Sequence, residues 1–192
     1  SDVYKRQEFL PYEDSGMINE PANRNPACFW QADVEEAAGK LAAILIDVNA
    51  DVLTIYDDHG GYGHPDHIQV HRVGHRAAEI AGVLRVFEST MNRDQIIEQI
   101  EYFRENDENG EMADLELDVD TFGTPESQIT HAVNVEAFSD RKRNAMKAHA
   151  SQITEESFFL SMPDAIFSKA FGTEWYIAAG SIRSGDFLTD II

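Results

Sequence analysis

Cysteine, basic charge and long apolar runs are all scarce in this sequence. Cys28 is its one cysteine, so neither an internal disulfide nor a zinc cluster built on several thiolates can form. The longest apolar run, residues 41–46, is far shorter than the ~20 residues that a membrane-spanning helix needs. Residues 1–7 are polar and lack the apolar segment of a signal peptide. These absences exclude a disulfide-stapled secreted module, and they predict a protein of the reducing cytoplasm.

Lysine and arginine are outnumbered by aspartate and glutamate. The 15 basic and 35 acidic residues give a net charge of -20, which repels phosphate backbones and anionic lipid headgroups. Nucleic acid and membrane surfaces are therefore not expected as partners. The chain has 192 residues, of which 43% are hydrophobic. That length and composition are typical of one globular domain.

The spacing of apolar residues predicts alternating helices and strands. A helical period predicts a helix over 32–48, and a short apolar run predicts a buried strand over 52–56. A glycine-rich loop over 57–63 leads to a helix from Pro65 to Ala81 and a strand over 83–88. Downstream, the pattern predicts helices over 93–103 and 140–152 and a last strand over 174–179. This order is typical of a layered α/β domain with a parallel sheet.

The densest group of reactive side chains lies where the first strand leads into its helix. Residues 56–71 hold four of the seven histidines, and ligand sites of α/β domains gather at the carboxyl ends of strands. His64-Pro-Asp-His67 supplies two imidazoles and a carboxylate. A catalytic zinc ion takes three protein ligands and one water, so two histidines are too few and a further ligand must come from elsewhere. His71 and His75 share one helix face, and we expect them to line the helix without binding metal.

One motif in this group resembles a known family signature. Gly60-Gly-Tyr-Gly-His-Pro-Asp-His67 resembles the second signature of the LmbE-like (PIG-L) zinc-dependent N-deacetylases. The nearest branch is the actinobacterial one, which acts on N-acetylglucosaminyl-inositol and on mycothiol conjugates. The resemblance runs from about Leu10 to Ile177 and implies a Rossmann-like fold with a mainly parallel sheet flanked by helices. Further landmarks of that branch lie at residues 12–17, 29–36, 147–152 and 172–177.

The resemblance implies a role for each residue of the motif. His67 would be a zinc ligand, and His64 would stabilise the oxyanion as an imidazolium and protonate the leaving amine. Asp66 would hold His64 in that charged form, and Tyr62 would turn its hydroxyl toward the oxyanion. Asp14 would bond sugar hydroxyls of a small N-acetylated substrate, although an aspartate before Ser-Gly is also a common turn residue. Iron or cobalt also suits a site of two histidines and one aspartate.

The first signature of the family has no counterpart in this sequence. That signature, Ala-His-Pro-Asp-Asp-Glu, supplies a histidine and an aspartate to zinc and a further aspartate as general base, yet no His-Pro-Asp-Asp occurs here. We therefore predict that residues 1–7 are foreign to the domain. Residues 8–192 would form one domain that lacks its first strand, two zinc ligands and the base. The sheet edge exposed in this way would let the chain associate with itself as a homo-oligomer.

Three other functions stay open at this level. A mycothiol S-conjugate amidase would use nearly the same residues on a different amide. An inactive fragment or degenerate sugar-binding module would keep the fold and the histidines without the metal. Residues 105–116 partly match a calcium-binding EF-hand loop. The alternation over 115–122 predicts a strand instead of the exiting helix of an EF-hand, so a solvated acidic loop is the expected structure there.

Overall fold

The computed structural model describes residues 6–105, 122–150, 153 and 157–191. Short 3-10 turns occur at Pro21–Arg24, Phe29–Gln31, Glu126–Gln128 and Glu136–Phe138. The helices and strands of the described residues are, in chain order, α1 (Val34–Asp47), β1 (Val52–Tyr56), α2 (Gly60–Gly63), α3 (Pro65–Ala81), β2 (Arg85–Thr90), α4 (Arg93–Glu105), β3 (His131–Asn134), α5 (Ser139–Ala148), α6 (Phe158–Ser161), α7 (Asp164–Phe171) and β4 (Thr173–Ala178).

The four strands form one open sheet in the order β1-β2-β4-β3. β1 and β2 are parallel, with Val52 opposite Arg85, and α3 connects them. β4 runs antiparallel to both β2 and β3. β1, β2 and β3 therefore share one direction, and β4 alone among the described strands runs against them. The predicted α/β layered class is confirmed, and the sheet carries helices as expected. The prediction of a mainly parallel sheet is confirmed except at β4, whose direction an apolar pattern does not encode.

The predicted elements agree with the structure to within a few residues. The strand predicted over 83–88 is β2, which begins later because Gly82 ends α3 in the left-handed conformation (φ 74°) and the Val83 amide still bonds the Ala78 carbonyl at 2.9 Å. The strand predicted over 174–179 is β4. The short strand β3 was not predicted. Residues 106–116 of the acidic segment considered for calcium lie outside the described residues.

α1 and α3 pack closely on one face of the parallel pair of strands. Small residues on both helices make this approach possible. Gly74 lets α3 approach β1, since a Cβ atom there would lie 2.5 Å from Ile55 Cγ2. No described helix is long and apolar enough to cross a membrane. The buried cluster comprises Ala37, Ala38, Ala42, Leu45, Ile55, Val73, Ala77, Ala78, Val83 and Val86.

The segment before α1 is fastened along α3. Gln69 Nε2 donates to the Ala32 carbonyl at 3.0 Å, and the Arg72 guanidinium lies 4.7 Å from the centre of the Trp30 ring. Glu13 and Cys28 form a bridge within the segment. These contacts hold the residues around Asp14 against the first turn of α3, which is the part of the fold that carries the histidines.

Candidate active site

The loop that follows β1 is fixed by a buried carboxylate. Asp57 is fully buried and accepts a hydrogen bond from the Gly61 amide at 2.6 Å. Its second oxygen accepts from the Thr90 hydroxyl at the end of β2, also at 2.6 Å. Hydrogen bonds of this kind offset part of the hydration that a carboxylate loses on burial. They tie the turn between β1 and α3 to the carboxyl end of the sheet.

Gly60 lets this turn approach α3 closely. It has a positive φ of 64°, and a Cβ atom added there would lie 2.6 Å from His67 Cβ and 2.9 Å from the Ile68 nitrogen. No other residue fits that space without moving α3 or His67, and L residues are strained at this φ. This close approach also places the Gly60 carbonyl oxygen next to the His67 ring.

His67 is held in the form that binds a metal ion. Its Nδ1 lies 3.1 Å from the Gly60 carbonyl oxygen, so Nδ1 carries the proton and Nε2 keeps its lone pair. The Tyr56 ring stacks on the imidazole at 3.9 Å between centroids, and the Tyr62 ring meets it edge-on at 5.2 Å. Burial lowers the pKa of His67, and the neighbouring His64 adds to this effect. The neutral imidazole is the ligand form.

His64 begins α3 and presents a proton donor beside His67. Its Nδ1 accepts the Asp66 backbone N–H at 3.1 Å, which is an N-cap interaction. A ring nitrogen that accepts a hydrogen bond carries no proton, so the proton lies on Nε2. The centroids of the His64 and His67 rings are 4.9 Å apart, and the Tyr62 ring, which is half exposed, lies 6.2 Å from that of His64.

The Asp66 carboxylate binds a serine that sequence reasoning did not identify. Ser15 is fully buried and donates to Asp66 through its backbone N–H, at 3.1 Å, and through its hydroxyl. The Ser15 hydroxyl oxygen in turn accepts the backbone N–H of Trp30 at 2.9 Å. Among the bonds and ion pairs of the described residues, Asp66 reaches His64 through its backbone N–H and not through its carboxylate. Ser15 lies within the family landmark at residues 12–17, and nothing else in the sequence indicated that it belongs to the site.

Asp14 lies beside this turn and forms the local turn that was the alternative to its sugar-binding role. Its Oδ1 accepts the Gly16 N–H at 2.6 Å. Ligand-type atoms of Asp14, His64 and Asp66 lie within 4.8 Å of one another. Both Asp66 oxygens accept hydrogen bonds from Ser15, and His64 Nδ1 caps α3, so an ion bound by the Asp66 carboxylate would displace the bonds that hold this turn.

Two further groups of described residues could also hold a metal ion. These are Asp57 with Asp58 and His59, and His71 with His75 and Glu88. Sequence reasoning did not find the second group, because Glu88 reaches the histidines from the next strand. Within the described part of the chain, none of the three groups includes His67. His67 therefore fits a metal in its tautomer and charge, but it needs ligands beyond these side chains.

The chain is similar to several actinobacterial proteins that share one name, 1D-myo-inositol 2-acetamido-2-deoxy-alpha-D-glucopyranoside deacetylase. The protein of Acidothermus cellulolyticus is 42% identical over 191 residues, which cover 94% of this chain and 65% of the relative. The protein of Nocardiopsis dassonvillei is 38% identical and covers 94% of this chain and 68% of the relative. The corresponding protein 1 of Catenulispora acidiphila is 34% identical, over 91% of this chain and 59% of the relative.

The chain spans somewhat less than two thirds of the length of most of these curated relatives, for example 65% in Acidothermus and 59% in Catenulispora. No protein-family model matches the chain. The similarity therefore extends over nearly all of this sequence, and part of each relative has no counterpart in it.

Proposed function

The chain belongs to the family of LmbE-like N-deacetylases, and from that premise we propose that it hydrolyses the N-acetyl amide of an amino-sugar conjugate, with N-acetylglucosaminyl-inositol as the substrate. The observation that carries the proposal is the turn at His64–His67. It presents a metal-ligand imidazole and a proton-donating imidazole with centroids 4.9 Å apart. The reaction adds water across the amide bond and releases acetate and the free amine.

His67 is the metal ligand of this proposal. Its Nδ1 donates to the Gly60 carbonyl, which leaves Nε2 for the metal, and its lowered pKa keeps it neutral near pH 7. A zinc ion, when bound, polarises the amide carbonyl and activates the attacking water. We propose that the remaining ligands and the general base belong to a His-Pro-Asp-Asp segment outside these 192 residues, because no described group of three ligand atoms includes His67.

His64 supplies the proton that the leaving amine requires. In the capped conformation its proton lies on Nε2, which is the nitrogen that faces away from the Asp66 amide. Nε2–H donates a hydrogen bond to the oxygen on which negative charge develops. To protonate the amine nitrogen as the C–N bond breaks, His64 must act as an imidazolium: Nδ1 releases the Asp66 N–H and takes up a second proton, so that loss of the Nε2 proton leaves a neutral imidazole. The Tyr62 hydroxyl, on a half-exposed ring next to both histidines, is a second donor to that oxygen.

The charge of the chain agrees with an uncharged sugar substrate. A net charge of -20 disfavours phosphorylated sugars, whereas N-acetylglucosaminyl-inositol carries no charge. Asp14 uses one carboxylate oxygen in its own turn, and the other oxygen would accept a sugar hydroxyl. The contacts that hold residues 13–32 along α3 place this carboxylate next to His64.

Acetate release from N-acetylglucosaminyl-inositol tests the proposal. We would compare the chain alone with a joined chain, in which a His-Pro-Asp-Asp segment of the family precedes residue 8, both in the presence of zinc. We expect acetate from the joined chain and none from the chain alone. A folded joined chain that binds zinc and releases no acetate would contradict the proposal. A mycothiol S-conjugate assayed in parallel separates the neighbouring amidase reaction, since faster cleavage of that conjugate would assign the chain to it.

A further inference from the structure

A second cluster of ligand side chains lies one helical turn beyond His67. His71 and His75 project from α3, and Glu88 projects from the middle of β2 toward them. We propose that His71, His75 and Glu88 bind a divalent transition-metal ion at a site separate from His67. This proposal departs from the expectation that these two histidines line the helix without binding metal, and the position of Glu88 is the reason.

The three side chains converge on one point. Glu88 Oε1 lies 2.7 Å from His75 Nε2 and 3.8 Å from His71 Nδ1. One ligand atom from each residue lies within 4.8 Å of the other two. A simple ion pair needs only His75 and Glu88. The second imidazole, His71, beside the same carboxylate is what favours a metal site over an ion pair. Two histidines and one glutamate form a common protein donor set for zinc, and imidazole also suits cobalt and nickel.

The ligands stand on rigid elements, which favours a site that is formed before the ion arrives. Glu88 lies in the middle of the sheet, paired with Ile55 of β1 and Ile177 of β4. α3 is seated on β1 at Gly74. His71 Nδ1, the nitrogen near Glu88, also lies 3.1 Å from the Tyr56 carbonyl oxygen, so it must give up this hydrogen bond and its proton to bind the ion.

The cluster is partly shielded and yet open to an entering ion. The Glu88 side chain is 14% exposed, and the histidine side chains are 21% and 32% exposed. His71 and Glu88 line a pocket of about 420 Å³, whose wall also includes Asp58 and His59. The pocket has room for the water molecules that would complete the coordination shell. The net charge of -20 raises the local concentration of cations.

Zinc titration of the metal-stripped 192-residue chain tests this inference. We expect calorimetry to show one bound Zn²⁺ per chain, and Co²⁺ to give the visible absorption of a site with imidazole ligands. Glu88→Gln keeps the shape of the side chain and removes its charge, so it should weaken binding at least tenfold. Glu79→Gln is the matched control, because this glutamate is on α3, pairs with Arg76 at 2.8 Å and should leave binding unchanged.

A second pair of variants makes the test decisive. His71→Asn should also weaken zinc binding at least tenfold, and it decides the matter if Glu88→Gln does not fold. His67→Ala should leave this ion in place, because His67 belongs to the other site. Unchanged affinity in folded Glu88→Gln or in His71→Asn would overturn the inference. Loss of the ion in His67→Ala would assign it to the His64–His67 turn, and a folded wild-type chain that binds no zinc would refute the site altogether.

Discussion

Gly60 determines where the His67 imidazole lies. Its carbonyl orients the ring, and its missing side chain leaves the space that His67 Cβ approaches. Gly63, in the same turn, also has a positive φ, of 87°, but a Cβ atom there would meet nothing within 4 Å. The two glycines therefore share the cost of a left-handed backbone and differ in their contact with His67.

We predict that Gly60→Ala will displace the His67 ring, whereas Gly63→Ala will not. Both variants should lose about 1–2 kcal/mol of unfolding free energy from backbone strain, and Gly60→Ala should lose more because of its contact with His67. Urea unfolding measures the stability, and the imidazole ¹⁵N resonances report the His67 tautomer. An unchanged His67 signal in Gly60→Ala would contradict this account of the turn.

His131 links stability to pH. It is 5% exposed, its Nδ1 lies 2.7 Å from the Thr130 hydroxyl, and its ring meets Phe87 edge-on. Burial lowers its pKa, and this outweighs the opposing effect of Asp190. The unfolded chain therefore takes up a proton near pH 6.5 that the folded chain does not, so stability is full above that pH and falls as the pH drops toward the folded-state pKa.

We predict that His131→Gln will lose less unfolding free energy than the wild type between pH 7.5 and pH 5.5. The unfolding free energies come from urea titrations at the two pH values. His149→Gln, a change at an exposed histidine near the end of α5, is the control and should follow the wild type. If His131→Gln shows the same pH dependence as the wild type, burial of His131 does not contribute to it.

At the scale of elements, the approach of α3 to β1 positions the site. Gly74 permits that approach, while Gly39 on α1 has open space around it. We predict that Gly74→Ala will lower the unfolding free energy by about 1–3 kcal/mol through overpacking against Ile55. Gly39→Ala should instead raise it by about 0.5–1 kcal/mol, because alanine favours the helix. Equal effects of the two changes in urea unfolding would refute the packing argument.

The elements that were predicted correctly are those with a local signal. The sequences of α1, β1 and α3 each show a regular spacing of apolar residues and residues that mark an end of the element. Asp33, whose side chain accepts the Glu36 N–H, marks the start of α1, and Gly82 marks the end of α3. β3 has four residues, which are too few to show the alternation of apolar and polar residues that indicates a strand. The antiparallel direction of β4 depends on how the chain returns to the sheet, which no local pattern records.

The same distinction applies to the candidate site. His64, Asp66 and His67 lie within one turn and were identified directly from their motif. Ser15 is 51 residues from its partner Asp66, and Glu88 is 13 residues from His75. Contacts between distant parts of the chain depend on packing, so the serine and the cluster of His71, His75 and Glu88 are found only in the structure. The roles of Tyr62, His64, Asp66, His67 and Asp14, and the boundaries of the domain at 8–192, stay predictions.

At the scale of the whole molecule, the excess of acidic residues is the dominant property. A net charge of -20 opposes the compact state by self-repulsion. We predict that Tm will rise by several degrees when ionic strength increases from about 10 mM to about 100 mM, over which the Debye length shrinks from about 30 Å to about 10 Å. Glycerol at equal osmolarity is the control for non-ionic effects. A Tm that falls or does not change on addition of sodium chloride would contradict the prediction.

The central claim is that His67 binds the metal ion and His64 donates the proton. The zinc dependence of acetate release tests this claim most directly. The measurement uses the joined chain with N-acetylglucosaminyl-inositol. His64→Ala should keep the zinc dependence of the wild type and lose about 10²–10⁴-fold in kcat, the usual contribution of a general acid. His67→Ala should require far more zinc and fall to the background rate at wild-type zinc levels. A His67→Ala variant with the zinc dependence and rate of the wild type would contradict the account.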